Sequence, residues 1–189
     1  MQPPRILVFA GSTAPDSPAS LLAAAFMREL AFLDAEPTRI ALTDFPLPLF
    51  DADASSAQPP NALRLRELVR SHHAVFVASP SRSGSMPPLL HNLLEWLGPR
   101  EEPRRGPPPL FAAAAIADDD WSAGATLDGL TGHLTRCLGA TLIGGGLAVG
   151  RAARAFDAKG GLDDPRLAVA LTRLARDLVA ASRERTNNP

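Results

Sequence analysis

Short apolar runs that alternate with helical periodicity constrain this chain more than any other feature. Ile6-Leu7-Val8-Phe9-Ala10, Ala74-Val75-Phe76-Val77-Ala78 and Leu110 to Ile116 are apolar at every position, so both faces of each would be covered if extended. Strands of that kind lie inside a parallel sheet with helices on both sides. Two weaker runs join them: Arg39-Ile40-Ala41-Leu42, and Thr141-Leu142-Ile143 leading into Leu147-Ala148-Val149. Helical stripes separate the runs, with Leu21, Leu22, Ala25, Phe26, Glu29 and Leu30 in the first and Leu63, Leu65, Leu68 and Val69 in the second. Pro87-Pro88 opens a third, strongly apolar helix ending at Leu97. Leu127, Leu130, Leu134 and Leu138 make a fourth, stopped by Gly139, and Pro165 begins a fifth through Leu167, Leu171, Leu174 and Leu178. Strand and helix in repeated succession predict an open α/β sheet with right-handed crossovers.

At 189 residues the chain reads as one domain over residues 1–183 with a polar tail, residues 184–189. The Pro/Arg-rich stretch from Pro99 to Pro109 reads as a surface connection. Nineteen Lys+Arg against twenty Asp+Glu give a net charge of -1, without the basic field that nucleic acid or an anionic membrane requires. No apolar stretch approaches the ~20 residues of a transmembrane helix. Met1-Gln2-Pro3-Pro4-Arg5 carries no secretory pattern, and the single cysteine, Cys137, excludes an intrachain disulfide. Both predict a cytoplasmic protein.

In an open parallel sheet, ligands bind beyond the carboxyl ends of the strands. The loop after the first strand, Gly11 to Ser20, carries Ser12, Thr13, Ser17 and Ser20 around a helix N-terminus. Backbone N–H groups and the helix dipole there favour a phosphate. The loop is neither a P-loop nor G-x-G-x-x-G, and a simple Ser17 cap before Pro18 explains it equally. The loop after the third strand, Ser79-Pro80-Ser81-Arg82-Ser83-Gly84-Ser85-Met86, offers a backbone-rich surface for a planar ring, or merely a turn into the next helix.

Together these loops resemble those of the NADPH-dependent FMN reductase family, a flavodoxin-like group. The family's Gly-Ser-x-Arg-x-x-Ser-x-Asn loop has its counterpart in Gly11 to Ala19, and its Pro-Glu-Tyr-Asn-Gly-Ser loop in Pro80 to Ser85. Leu90-x-Asn92-x-Leu94-Glu95-Trp96 is similar to the family's Leu-Lys-Asn-x-x-Asp-Trp helix, the most specific match. Asp44-Phe45-Pro46-Leu47-Pro48-Leu49-Phe50 resembles its Asp-Leu-Pro-Leu-Tyr stretch. The resemblance implies a flavodoxin-like three-layer sandwich with a five-stranded parallel sheet in the order 2-1-3-4-5. It implies FMN as cofactor, NADPH or NADH as donor, and a small-molecule acceptor such as a flavin, quinone, azo compound or metal oxyanion. It sets Ser12, Thr13, Ala14, Ser17, Ala19 and Ser20 at the phosphate, Pro80, Ser81, Arg82, Ser83 and Gly84 at the ring, and Asp118 beside them. It assigns no residue to a metal, and it implies a homodimer, or a tetramer, through the helix Pro87–Leu97.

The departures from the pattern are specific. The family's loop Arg and Asn fall on Ala14 and Ala19, and Glu-Tyr-Asn becomes Ser81-Arg82-Ser83. Arg82 is the available cation and a candidate for the NADPH phosphate. The stretch Ala117-Asp118-Asp119-Asp120-Trp121-Ser122-Ala123-Gly124 reads as an acidic solvated loop anchored by Trp121, whose carboxylates would lower a flavin's reduction potential. His72-His73 closes the second helix, where a cation suits the dipole. His133 and Cys137 read as core, and His91 as a surface or interface residue. The resulting expectation is an FMN-dependent oxidoreductase. Its alternatives are a flavodoxin-like binding module that has lost FMN and a domain holding a different phosphorylated ligand.

Overall fold

The computed structural model describes residues 2–53, 58–98 and 107–187, so the greater part of the Pro99–Pro109 connection lies outside them. The strands are β1 (Arg5–Ala10), β2 (Glu36–Arg39), β3 (Ala74–Pro80), β4 (Leu110–Ile116), β5 (Thr141–Leu142) and β6 (Leu147–Val149). The helices are α1 (Pro18–Ala31), α2 (Pro60–Ser71), α3 (Pro88–Leu97), α4 (Asp120–Leu138) and α5 (Pro165–Asn187). Every pairing is parallel, and the order is β2-β1-β3-β4-β5 with β6 also on β4. This is the flavodoxin-like order expected.

Period-two alternation divides the core into two layers. Ile6, Val8, Phe76, Ala112 and Ile116 point to the face covered by α1 and α5. Leu7, Phe9, Val75, Val77 and Phe111 point to the face covered by α2, α3 and α4. Phe26 of α1 stacks on Phe76 with ring centroids 3.7 Å apart, and both are fully buried. Deleting either ring would cost about 3–5 kcal/mol by the usual large-to-small penalty.

The boundaries differ from expectation in four places. The second strand is Glu36–Arg39, not Arg39–Leu42; Ile40 still donates to the Val8 carbonyl at 3.1 Å, but Leu42 to Asp44 wind into a 3₁₀ turn. As a short edge strand with mostly exposed residues, β2 has no apolar signature, and an edge tolerates Pro37. The fifth run is split by Gly144, Gly145 and Gly146, all at positive φ. A Cβ at Gly144 would stand 2.6 Å from Leu174 and one at Gly146 2.8 Å from Leu127, so the break lets α5 and α4 pack directly on this lane. α4 begins at Asp120 rather than Leu127, because Asp119 caps it by accepting the Ser122 N–H at 2.7 Å. α5 continues through Asn187, past the last apolar position of its stripe. Among the described residues no helix is long and apolar enough to cross a membrane.

Candidate functional site

Because all strands are parallel, their carboxyl ends share one edge. The register pairs Ala10 with Ala78, Ala78 with Ala114, and Ile116 with Val149. Main-chain bonds continue this edge into the loops: Gly11 donates to Ala78 at 2.8 Å, Ser81 to Ile116 at 2.9 Å, and Ala117 to Val149 at 3.0 Å. The loops after β1, β3, β4 and β6 therefore leave the sheet side by side.

In the β1 loop the hydroxyls hold the loop itself. Ser17 caps α1 by accepting the Ser20 N–H at 3.2 Å, and its own hydroxyl donates to Ser20 Oγ at 3.0 Å. Ser20 Oγ passes a hydrogen bond to the Ala14 carbonyl at 2.8 Å, and Ser12 Oγ accepts the Ala14 N–H at 3.2 Å. Ser20 and Ala19 are buried, so Ala19 packs in the core and Ser20 braces the loop from within. Ser12 and Ser17 are partly exposed, and Thr13 and Ala14 are exposed. Gly11 is required by packing, since a Cβ there would meet Leu90 Cδ2 at 2.8 Å.

The β3 loop is a two-residue hairpin. Arg82 and Ser85 exchange main-chain bonds of 2.8 and 3.0 Å, and Ser83 and Gly84 between them both take positive φ, 52° and 73°. This backbone is that of a primed turn, in which Gly is favoured. Ser81 is tied to α4: its hydroxyl accepts from buried Thr126 Oγ1 at 2.8 Å. Arg82 and Ser83 stand exposed at the tip, while Pro80 is half-buried at the strand end. Trp121 is in the first turn of α4 and 76% exposed, with its indole over Gly84. It covers the loop after β3 instead of anchoring its own.

The acidic stretch is solvated as expected, Asp118, Asp119 and Asp120 all being exposed, but it is a short bend that runs directly into the start of α4. Ser122 donates to Asp119 through its N–H and its hydroxyl, both at 2.7 Å, and these bonds hold the Asp119 carboxyl below the usual carboxylate range. Asp120 sits against Gly150, where any Cβ would overlap its carboxylate. Asp118 faces a different group: with Arg151, Ala153 and Arg154 it lines a cleft of about 290 Å³ beyond β4 and β6. Asp118 follows β4, two strand spacings, or roughly 10 Å, from the β1 lane. The two arginines follow a run that ends at Val149 in the sequence, but nothing in Arg151-Ala152-Ala153-Arg154 shows that this loop lies against Asp118. Among the described residues Arg82, Arg151 and Arg154 make no ion pair.

The most specific stretch of sequence proves to be a brace. Asn92 accepts the Phe50 N–H at 2.7 Å and donates to the Pro48 carbonyl at 3.0 Å; Trp96 Nε1 donates to the same carbonyl at 2.8 Å. α3 thereby clamps the Pro46–Phe50 segment, and Phe50 meets the Trp96 ring edge-on at 5.2 Å. Leu90, Leu93, Leu94 and Trp96 are buried within the chain, leaving Leu89 as the exposed large apolar residue of α3. The surplus of apolar residues in this helix is thus accounted for without a second copy. His72 Nδ1 lies 2.7 Å from the Leu68 carbonyl, the helix-closing role expected of it.

The fold has solved counterparts. A flavone reductase superposes with a TM-score of 0.74 at 15% identity, over 98% of this chain and 65% of that one. FerB, a flavoenzyme NAD(P)H:(acceptor) oxidoreductase from Paracoccus denitrificans, gives 0.69 at 20% identity over 96% and 98%. An NADH:FMN oxidoreductase (EMOB) in its apo form gives 0.69 at 19% identity over 94% and 89%. At such identities the likeness is one of fold. The sequence supplies the rest, since residues 4–154, from the strand before the serine loop to the arginines of the cleft, match the pattern of one family. The chain belongs to the NADPH-dependent FMN reductases, enzymes that use FMN with a nicotinamide donor.

Proposed function

We propose that this protein binds FMN across the loops after β1 and β3 and uses it to pass electrons from NADPH or NADH to a small acceptor, a flavin, quinone, azo compound or metal oxyanion. What supports the reading most is the adjacency of two elements at one sheet edge: the capped N-terminus of α1 and the left-handed turn Ser83-Gly84. FMN supplies two-electron acceptance from a nicotinamide and onward delivery, so no acid–base pair is needed from the chain.

The residues fit that cofactor, with one term missing. In the first turn of α1 Pro18 has no N–H and Ser17 takes that of Ser20, so the helix dipole, the Ala19 N–H and the hydroxyls of Ser12, Thr13 and Ser17 are what favour a phosphate there. Ala19 and Ser20 act from behind as packing and bracing, and Ala14 contributes no charge. Pro80, Ser81, Arg82, Ser83 and Gly84 present the main chain of a rigid turn to the ring, and Trp121 supplies an aromatic cover. Arg82, Arg151 and Arg154 are the free cations for the donor's phosphates, and Asp118 borders them. We further propose a cytoplasmic enzyme; pairing through α3 rests on the family resemblance and the exposed Leu89, since the other large apolar side chains of this helix pack within the chain.

The test is NAD(P)H oxidation by the purified chain with and without FMN. Turnover that requires FMN, and that Arg82→Ala slows, supports this reading. A folded chain that neither binds FMN nor oxidises the donor is a flavodoxin-like binding module instead.

A further inference from the structure

We propose that His91, Glu95 and His133 form a zinc site that ties α3 to α4 at the rim of a groove whose lining begins at Met86, where the loop after β3 ends. His91 and Glu95 are one turn apart on α3, so both side chains leave the same face. His133 reaches them from α4, and one ligand atom from each of the three lies within 4.8 Å of the others. The imidazoles of His91 and His133 meet edge-on, 4.8 Å between centroids and 66° between planes, so they converge without stacking.

The spacing matches a cation better than hydrogen bonds. Glu95 Oε1 is 3.4 Å from His91 Nε2 and 3.7 Å from His133 Nε2, both beyond the 2.7–3.2 Å of an N–H···O bond. In a tetrahedral site with Zn–N and Zn–O bonds of about 2.0–2.1 Å, neighbouring ligand atoms are roughly 3.3 Å apart. The Glu95 pairs lie within tenths of an ångström of that spacing, while the widest pair of ligand atoms, within 4.8 Å, closes by up to about 1.5 Å through a turn of the exposed His91 side chain.

His133 Nε2 is buried and has no hydrogen-bond partner, in a side chain only 9% exposed. Native interiors rarely leave a buried polar atom unpaired, and a bound ion is one of the standard explanations. Two imidazoles and one carboxylate suit zinc, whereas Mg²⁺ and Ca²⁺ take oxygen ligands. His91 and Glu95 also line a groove of about 350 Å³ with Leu49, Phe50, Met86, Pro88 and Asn92. Three protein ligands leave a fourth position for water, or for an oxygen of a molecule in that groove.

The inference is independent of the FMN reading, and one experiment separates them. The full-length chain, stripped with a chelator, is titrated with Zn²⁺ against a chromogenic competitor and with Co²⁺ for its tetrahedral ligand-field bands; FMN binding is read on the same samples. One equivalent per chain and tetrahedral Co²⁺ bands are expected. His91→Ala at the exposed position, Glu95→Gln, and His133→Gln, which keeps the buried volume filled, should each weaken Zn²⁺ by more than about tenfold. A His72→Ala, His73→Ala double variant should bind as the parent does. No uptake by the parent, equal affinity in the three single variants, or a loss that follows His72 and His73 would overturn the site.

Discussion

The indole of Trp121 lies over Gly84, close enough that a Cβ on the glycine would stand 3.2 Å from Cζ3 of the ring. Gly84 also holds φ at 73°, so a left-handed backbone and a close ring both disfavour a side chain there. Gly84→Ala should cost about 1–2 kcal/mol through the left-handed backbone alone, measured as a fall in the urea midpoint. Adding Trp121→Ala should recover the contact part of the loss and leave the backbone part.

The same indole predicts the optical signal of cofactor binding. Trp96 is buried under Pro48 on α3, whereas Trp121 stands at the ring loop. FMN should quench mainly Trp121, so Trp121→Phe should remove most of the fluorescence change while Trp96→Phe keeps it.

Ala14 occupies the exposed position where the family carries a cation. A charge-assisted hydrogen bond contributes about 1.5–3 kcal/mol, so Ala14→Arg should tighten FMN binding by about tenfold or more. An FMN titration of variant and parent measures it, and added salt should narrow the difference.

Asn92 is predicted to act on stability alone. Asn92→Ala removes two bonds to the Pro48–Phe50 segment and should cost about 1–3 kcal/mol by denaturant unfolding. FMN affinity, measured on the still-folded variant, should stay at the parent's value.

Burial of His133 links the fold to pH. Its folded-state pKa lies below the ordinary 6.5, so the folded chain binds fewer protons than the unfolded one in the window beneath that value. Stability should be complete above pH 6.5 and decline as pH falls from there toward the folded pKa, with a slope of at most about 1.4 kcal/mol per pH unit. Glu95 and His91 from α3 and Arg136 from its own helix face the ring. Urea midpoints between pH 7 and 5 should fall in the metal-free parent and flatten in His133→Gln.

What was legible in the sequence followed from periodicity. β1, β3 and β4 are apolar throughout because both faces are buried, and that property survives in one dimension. β2 was displaced because an edge strand of Glu36-Pro37-Thr38-Arg39 buries almost nothing and so leaves no pattern. The first turn of α4 was hidden because capping by Asp119 depends on a single side-chain bond, while Gly124 and Gly129 dilute the stripe behind it. The Asn92 and Trp96 spacing was readable, but its role was not. Those side chains fasten a segment more than forty residues earlier in the chain, a contact that only the folded chain discloses. Arg151 and Arg154, and the meeting of His91 with His133, likewise depend on which helices and lanes become neighbours.

Whether FMN sits on these loops is decided by spectral titration of the purified chain with FMN, followed by NADPH or NADH in the same cuvette. The flavin spectrum should be perturbed, saturate at one equivalent per chain and bleach when the nicotinamide is added. A folded chain that leaves the spectrum of free FMN unchanged would contradict FMN binding there.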